Sequence, residues 1–115
     1  MYVSVTGLKT KSFFSSIRFW YLTIPAFRAA QKSEGIIFCE NKSLNGCHHT
    51  LTVWESKSYM MEYFNSPIHL KNMKVFSSIA SGKVLGYESE TVPLWDDALK
   101  EWELNGRVVK SHHNN

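Results

Sequence analysis

Hydrophobic and polar positions alternate at the beginning of the chain and then recur at helical spacing. Val3 and Val5 alternate with polar neighbours, which predicts a first strand over residues 2–8. Residues 12–33 predict a long helix with one apolar face, because large side chains recur there at intervals of three or four: Phe13, Ile17, Trp20, Ile24 and Phe27.

The next pattern predicts a hairpin. Residues 36–40 form a short apolar run, and residues 48–55 resume the alternation of a strand. Between them, Asn45 and Gly46 supply turn chemistry, since both tolerate a positive φ. The two strands are therefore expected to pair as neighbours in one sheet.

The remaining segments predict a helix, a strand and a short amphipathic piece. A serine cap and Pro67 predict a second helix that breaks and restarts before residues 68–80. Residues 83–92 predict a fourth strand after Gly82. An amphipathic segment over residues 94–104 then brings three apolar residues onto one side: Trp95, Leu99 and Trp102.

The order of predicted elements is strand, helix, strand, strand, helix, strand. This order is typical of an α+β, ferredoxin-like βαββαβ domain, in which both helices cover one face of a four-stranded antiparallel sheet. We expect a single domain over residues 1–106, which includes the amphipathic segment at 94–104, and a flexible polar tail over residues 107–115.

Both faces of the predicted sheet carry apolar side chains, with Leu51 and Val53 on one face and Trp54 on the other. The helices of this layout cover only one of the two faces. A second copy across a twofold axis would cover the other, which predicts a homodimer arranged as a dimeric α+β barrel. The amphipathic segment 94–104 is expected to pack against the partner.

Composition narrows the classes of function. The formal net charge is +3 over 115 residues, and the lysines are scattered rather than gathered into a stripe, so no binding of nucleic acid is expected. No apolar stretch is long enough to span a membrane, and the N-terminus reads as a strand instead of a leader, which predicts a cytoplasmic protein. An aromatic share of 14% indicates an extra buried surface or a ligand cavity.

The sequence shows no self-sufficient catalytic motif, since it lacks a nucleophile elbow, a phosphate loop and a dinucleotide fingerprint. Cys39 and Cys47 flank the predicted turn, where they are placed to face each other as thiols. His48 and His49 add metal-ligand atom types, but adjacent strand residues point to opposite faces, so no metal site is predicted from them. Whether the chain is an enzyme is left open by these residues.

His69 is the candidate catalytic residue. It lies on the apolar side of the second helix, as Met73 does, and an imidazole there can move a proton near neutral pH or ligate haem iron. The alternative is a core histidine bonded to a backbone carbonyl. A metal role for His69 arises only if haem is bound.

Five residues are candidate ligand-binding residues: Trp54, Thr52, Arg28, Phe64 and Met73. Trp54 and Thr52 share a strand face and are placed to line one cavity, although a buried Trp is more often part of the core. Arg28 lies beside Ile24 on the predicted apolar side of the first helix, where it can meet a ligand carboxylate or form an ion pair with Glu55.

A run of residues resembles a known family. The strand His49-Thr50-Leu51-Thr52-Val53-Trp54-Glu55, followed by Met61, Phe64, Ser66 and His69, resembles the antibiotic-biosynthesis-monooxygenase-like superfamily of dimeric α+β barrels, and within it the spheroidene-monooxygenase-like and related uncharacterised small proteins. The resemblance covers roughly residues 2–95. It implies a cavity between the helices and the sheet.

The resemblance implies a monooxygenase-like protein that binds an apolar or aromatic small molecule. Haem is a possible cofactor of such a protein, and His69 would then hold it. The alternative is a non-catalytic ligand-binding or interaction module on the same barrel, or a haem carrier or sensor. Haem-degrading members use an Asn on the first strand, where this chain has Val3, Ser4 and Val5, and a later helical His, where it has Met73. Haem degradation by their mechanism is therefore not expected.

Overall fold

The computed structural model describes residues 1–109, without the side chains of Ser77 and Val109. Strands and helices follow one another in the order β1 (Tyr2–Thr10), α1 (Phe13–Gln31), β2 (Ile36–Leu44), β3 (Cys47–Trp54), α2 (Lys57–Phe64), α3 (Pro67–Ile79), β4 (Ala80–Glu88), α4 (Trp95–Asn105) and β5 (Arg107–Val109). The predicted α+β, ferredoxin-like order of elements is confirmed. Pro67 opens α3 at its first turn, as the sequence predicts.

The sheet has five antiparallel strands in the order β2-β3-β1-β4-β5, so the prediction of four strands is wrong. The fifth strand, Arg107–Val109, pairs with β4 at Gly82, Lys83 and Val84. Three residues are too few to show strand alternation in a sequence. They form the beginning of the segment predicted as a flexible tail, and the rest of that segment, residues 110–115, lies outside the described residues.

Local signals set the helix start and the hairpin. The Ser12 hydroxyl accepts a hydrogen bond from the Ser15 amide at 3.1 Å and caps α1. Asn45 and Gly46 have φ values of 52° and 77°, as a tight hairpin turn requires. Because two residues suffice for the turn, β2 continues to Leu44 instead of ending near residue 40.

The hairpin register corrects the placement of the cysteines. Cys39 lies opposite Thr52, and Cys47 lies opposite Leu44, so the two thiols do not face each other. Both cysteines are free.

One face of the sheet is closed by α4. Its core consists of side chains with no exposed area, from β1, β3 and α4: Val3, Val5, Leu51, Val53 and Ala98. Trp95 and Trp102 of α4 pack against this core, and the Trp102 indole donates a hydrogen bond to the Lys83 carbonyl at 2.8 Å. The prediction that this face needs a partner is therefore wrong, because α4 of the same chain covers it.

The orientation of α1 also differs from the prediction. Phe19, Ala26 and Ala30 face inward and are buried, whereas Ile17 and Ile24 are 55% and 49% exposed. The predicted apolar face of the helix is thus mostly its outer side. Periodicity failed here because both sides of the helix carry large apolar residues, so their spacing does not show which side is buried.

Candidate functional site

A cavity of about 120 Å³ lies between the sheet and the helices α1, α2 and α3. It is on the opposite side of the sheet from α4, because strand residues alternate between the two faces. Four strands and three helices contribute to its wall. The cavity predicted between helices and sheet is therefore present.

The sheet side of the cavity is polar. Five side chains with hydroxyl or amide groups line it: Ser4, Thr6, Asn41, Thr50 and Thr52. The Thr50 hydroxyl donates to the side-chain Oδ1 of Asn41 at 2.8 Å, and Thr52 Oγ1 accepts from the Trp54 indole at 2.9 Å. Since Thr52 accepts that bond, its own O–H remains available as a donor.

The helix side is mainly aromatic and apolar. Phe19 and Phe27 from α1, Phe64 from α2, and Met73 and Phe76 from α3 contribute to the wall. The rings of Phe19 and Phe76 pack with their centroids 5.0 Å apart. Such a wall favours the flat faces of an aromatic molecule, while the sheet side offers partners for a polar group.

His69 lies in the first turns of α3 and lines the cavity. Its ring stacks on Phe64 with centroids 4.5 Å apart, and its Nδ1 lies 3.1 Å from the Phe64 carbonyl oxygen. A carbonyl only accepts, so Nδ1 carries the proton, and Nε2 is left as the basic nitrogen. Burial lowers the pKa of His69 and outweighs the hydrogen bond to Phe64, which raises it, so the ring is neutral at pH 7.

Two further polar residues complete the helix side. Asn72 of α3 is 4% exposed, and its amide donates to the Leu22 carbonyl at 2.8 Å, which ties α3 to α1. Thr23 of α1 also lines the cavity, and its buried Oγ1 has no hydrogen-bond partner among the residues that the structure describes. Sequence reasoning missed both residues, because a Thr or Asn inside a helical pattern carries no distinct signal.

Cys39 and Tyr63 line the cavity but keep their protons. Burial, followed by the neighbouring Glu40, raises the pKa of the Cys39 thiol to about 12. Burial, followed by Cys39, raises the pKa of Tyr63 to about 12, and its hydroxyl donates to the Ala26 carbonyl at 2.8 Å. Neither group is a ready nucleophile, which leaves His69 as the basic group of the cavity.

The structure brings together four of the six predicted site residues: His69, Thr52, Phe64 and Met73. Trp54 is fully buried behind them, stacked on Tyr63 with centroids 5.6 Å apart, and adds nothing to the described wall. Arg28 is exposed on the outer side of α1, which corrects its predicted place beside a ligand. Arg28 is exposed because α1 is oriented with both Ile24 and Arg28 toward solvent.

Haem does not fit this cavity. A cavity of roughly 150 Å³ in another protein accommodates one benzene molecule, so about 120 Å³ suits a single small ring and not a macrocycle of four pyrroles. Within residues 1–109, no three His, Cys, Asp or Glu side chains are grouped so that they could hold a metal ion. The volume of the cavity suits a small organic molecule.

No protein-family model matches the chain, and no curated protein matches it in sequence. Solved structures do match. A protein from Deinococcus radiodurans, described as a candidate antibiotic biosynthesis monooxygenase, shares 15% identity and superimposes with a TM-score of 0.72 over 82% of this chain and 98% of its own. SnoaB, a cofactor-independent oxygenase from Streptomyces nogalater, shares 9% identity, with a TM-score of 0.66 over 81% and 97%.

A third structure, from Nitrosomonas europaea and described in the same way as the first, shares 11% identity, with a TM-score of 0.70 over 79% of this chain and all of its own. At such identities the matches show a common fold. The expected likeness to antibiotic-biosynthesis-monooxygenase-like structures is thereby confirmed, while the nearer likeness to spheroidene-monooxygenase-like proteins stays a prediction.

Proposed function

Starting from this shared fold, we propose that the chain binds a small aromatic molecule of about one ring, bearing a hydroxyl group, in the cavity between helices and sheet. The volume of the cavity suits a ligand of one ring, and the aromatic wall on the helix side favours a ligand with a flat apolar body. The polar groups of the wall can form hydrogen bonds with one hydroxyl group of the ligand. Phenol is the simplest molecule with these features.

The observation that carries this proposal is the unpartnered Thr23 hydroxyl. A buried polar group without a partner costs about 1–3 kcal/mol, which a ligand hydroxyl would recover. The His69 Nε2 atom can accept a hydrogen bond on the same side of the cavity, because Nδ1 is engaged with Phe64. A ligand O–H can therefore donate to one of these groups and accept from the other.

Calorimetric titration of the full chain with phenol and with toluene tests the proposal. The two molecules have similar shapes and differ in the hydroxyl, so phenol is expected to bind about five- to tenfold more tightly, the worth of roughly one hydrogen bond. Thr23→Val keeps the branched shape, removes the hydroxyl and should reduce this preference to near one. Thr91→Val, at an exposed position outside the cavity, is the matched control.

Equal binding of phenol and toluene by the unmodified chain would contradict the proposal, as would binding of neither. An unchanged phenol preference in a folded Thr23→Val variant would show that the unpartnered hydroxyl is not the recognising group.

A second candidate function, oxygenation of such a phenol, is favoured by the position and tautomer of His69. The neutral Nε2 can accept the phenolic proton, which leaves an electron-rich phenolate against the aromatic wall. Molecular oxygen can then convert the para C–H to C=O while its second atom leaves as water: phenol plus O₂ gives benzoquinone plus water, with the substrate supplying all the electrons. This scheme uses no haem.

Oxygen uptake with phenol and 2-methoxyphenol separates the enzyme from the non-catalytic ligand-binding module. If the chain is an enzyme, oxygen uptake and quinone formation should occur together. Both should be abolished in His69→Phe, which keeps a flat ring against Phe64. Tight binding of phenol without oxygen uptake would identify the binding module instead.

We also propose that the chain assembles as a homodimer and works in the cytoplasm, as its sequence predicts. The two copies must meet through a surface other than the face of the sheet that α4 closes. Light scattering across a range of protein concentrations measures this state, and a monomer at every concentration would contradict it.

A further inference from the structure

The outer side of α1 is a continuous apolar surface that nothing in the described chain covers. We call this surface the outer face of α1; eight exposed residues on one side of the helix form it: Phe13, Phe14, Ile17, Arg18, Tyr21, Ile24, Pro25 and Arg28. Phe14, Tyr21 and Phe13 are 79%, 77% and 73% exposed. Contiguous exposed apolar surface of this kind marks an interaction site.

Charge on this helix has one sign. The 19 residues of α1 include two arginines, both on the outer face, and no Asp or Glu. Lys11 and Lys32 are exposed just before and just after the helix. Exposed aromatic side chains and nearby basic residues both favour binding to a membrane surface, the first through burial of apolar area and the second through attraction to anionic lipids.

A second copy of the chain is the poorer partner for this face. Twofold packing of α1 on itself would bring Arg18 and Arg28 of both copies together, with no carboxylate on either helix to pair with them. An anionic lipid headgroup layer supplies negative charge to the arginines and an apolar layer to the aromatic rings. No helix of the described residues is long and apolar enough to cross a bilayer.

We infer that the outer face of α1 docks onto an anionic lipid surface, with its aromatic side chains entering the boundary between headgroups and acyl chains. The arginines contact lipid phosphates, and the helix stays packed on the domain through Phe19, Ala26 and Ala30. The binding is peripheral. It does not depend on the occupant of the cavity beneath the helix.

Flotation of the full chain with vesicles tests this inference. The chain is expected to float with phosphatidylcholine vesicles that contain phosphatidylglycerol and to remain behind with pure phosphatidylcholine, and added salt should weaken the binding. The variant Arg18→Gln/Arg28→Gln should lower partition onto the anionic vesicles about thirty-fold, from roughly 1 kcal/mol per basic residue. The variant Phe14→Ser/Tyr21→Ser should lower it more than about tenfold.

The control is Leu94→Ser/Leu104→Ser. These leucines are 74% and 70% exposed, at the two ends of α4 on the opposite side of the sheet, so the control matches the loss of exposed apolar area. It is expected to float as the unmodified chain does. Absence of flotation with the anionic vesicles, equal flotation with both kinds of vesicle, or equal flotation of all variants would overturn the inference.

A concentration-dependent dimer that disappears in Phe14→Ser/Tyr21→Ser, without vesicle binding by the unmodified chain, would assign the face to a second copy and overturn the inference as well. All of these positions are exposed, so the variants are expected to fold, and their thermal unfolding is measured alongside.

Discussion

The two faces of the sheet are built from alternate residues of the same strands, yet they differ in nearly every physical property. Toward α4, Val3, Val5, Leu51 and Val53 are completely buried in a closed apolar core. Toward α1 and α3, their sequence neighbours line a cavity with hydroxyl groups, and on the helix side of this cavity the Thr23 hydroxyl of α1 has no partner in the described chain. The first face stabilises the domain, and the second leaves polar groups and space for a ligand.

In this domain of 115 residues, the α4 face of the sheet contributes most of the stability of the fold. A full apolar core on one face permits a cavity and an unpartnered hydroxyl on the other, although each of these costs free energy. The extra helix α4 makes the arrangement possible within one chain.

Leu51→Ala should lower the free energy of unfolding by about 2–5 kcal/mol, because it leaves a void in the closed core. Thr50→Ala, at the adjacent position that faces the cavity, should cost about 1 kcal/mol through its bond to Asn41. Urea unfolding of both variants measures the difference. Equal losses would contradict the assignment of stability to the α4 face.

Gly7→Ala should lower the free energy of unfolding by about 1–3 kcal/mol, because an added methyl group would overlap the Trp102 ring and approach His49 within 2.9 Å. Adding Trp102→Ala should relieve the overlap, so the double variant should lose less than the sum of the two single losses. Additive losses in urea unfolding would show that α4 does not pack on β1 at this point.

Thr23→Val should change stability in the opposite direction and raise the free energy of unfolding by about 1 kcal/mol. The change removes a buried hydroxyl that has no partner in the described chain and keeps the volume of the side chain. A loss of stability in urea unfolding would indicate that the hydroxyl is satisfied in solution.

The smallest effect concerns pH. Burial lowers the pKa of His69 below its ordinary value of 6.5 in the folded chain, so the unfolded chain binds a proton first as the pH falls. The contribution of His69 to stability should therefore be constant above this value and decline as the pH falls through 6.5 toward the lower pKa of the folded chain.

His69→Gln should decline less over this pH window than the unmodified chain. His48 and His49, whose pKa values burial also lowers, account for the slope that remains. Thermal unfolding between pH 5 and pH 7.5 measures it, and identical pH profiles for the two chains would contradict a buried, neutral His69.

The fold could be predicted from its sequence wherever local pattern and local chemistry agree. Asn45-Gly46 and the Pro67 restart follow from backbone preferences that depend on few neighbours. The placement of α4 could not be predicted, because an amphipathic pattern shows that a helix covers something and does not show which surface. The same limit produced the mistaken case for a partner at the second face.

The site was predicted in part for similar reasons. His69, Phe64 and Met73 follow from helical spacing, and Thr52 follows from strand alternation. Arg28 was misplaced because large apolar side chains lie on both sides of α1: Phe19 is buried, whereas Phe14 and Tyr21 are 79% and 77% exposed. Thr23 could not be found, since its importance arises only from the absence of a partner in three dimensions.

A two-dimensional NMR titration of the chain with phenol tests directly whether the cavity between helices and sheet binds a ligand. Binding in the cavity predicts chemical-shift changes at Thr23, Thr52 and His69, with residues of the α4 face such as Val53 unchanged. It also predicts that His69 Nε2 gains a hydrogen bond while Nδ1 keeps its proton. Shift changes concentrated on the α4 face, or none at saturating phenol, would contradict the account.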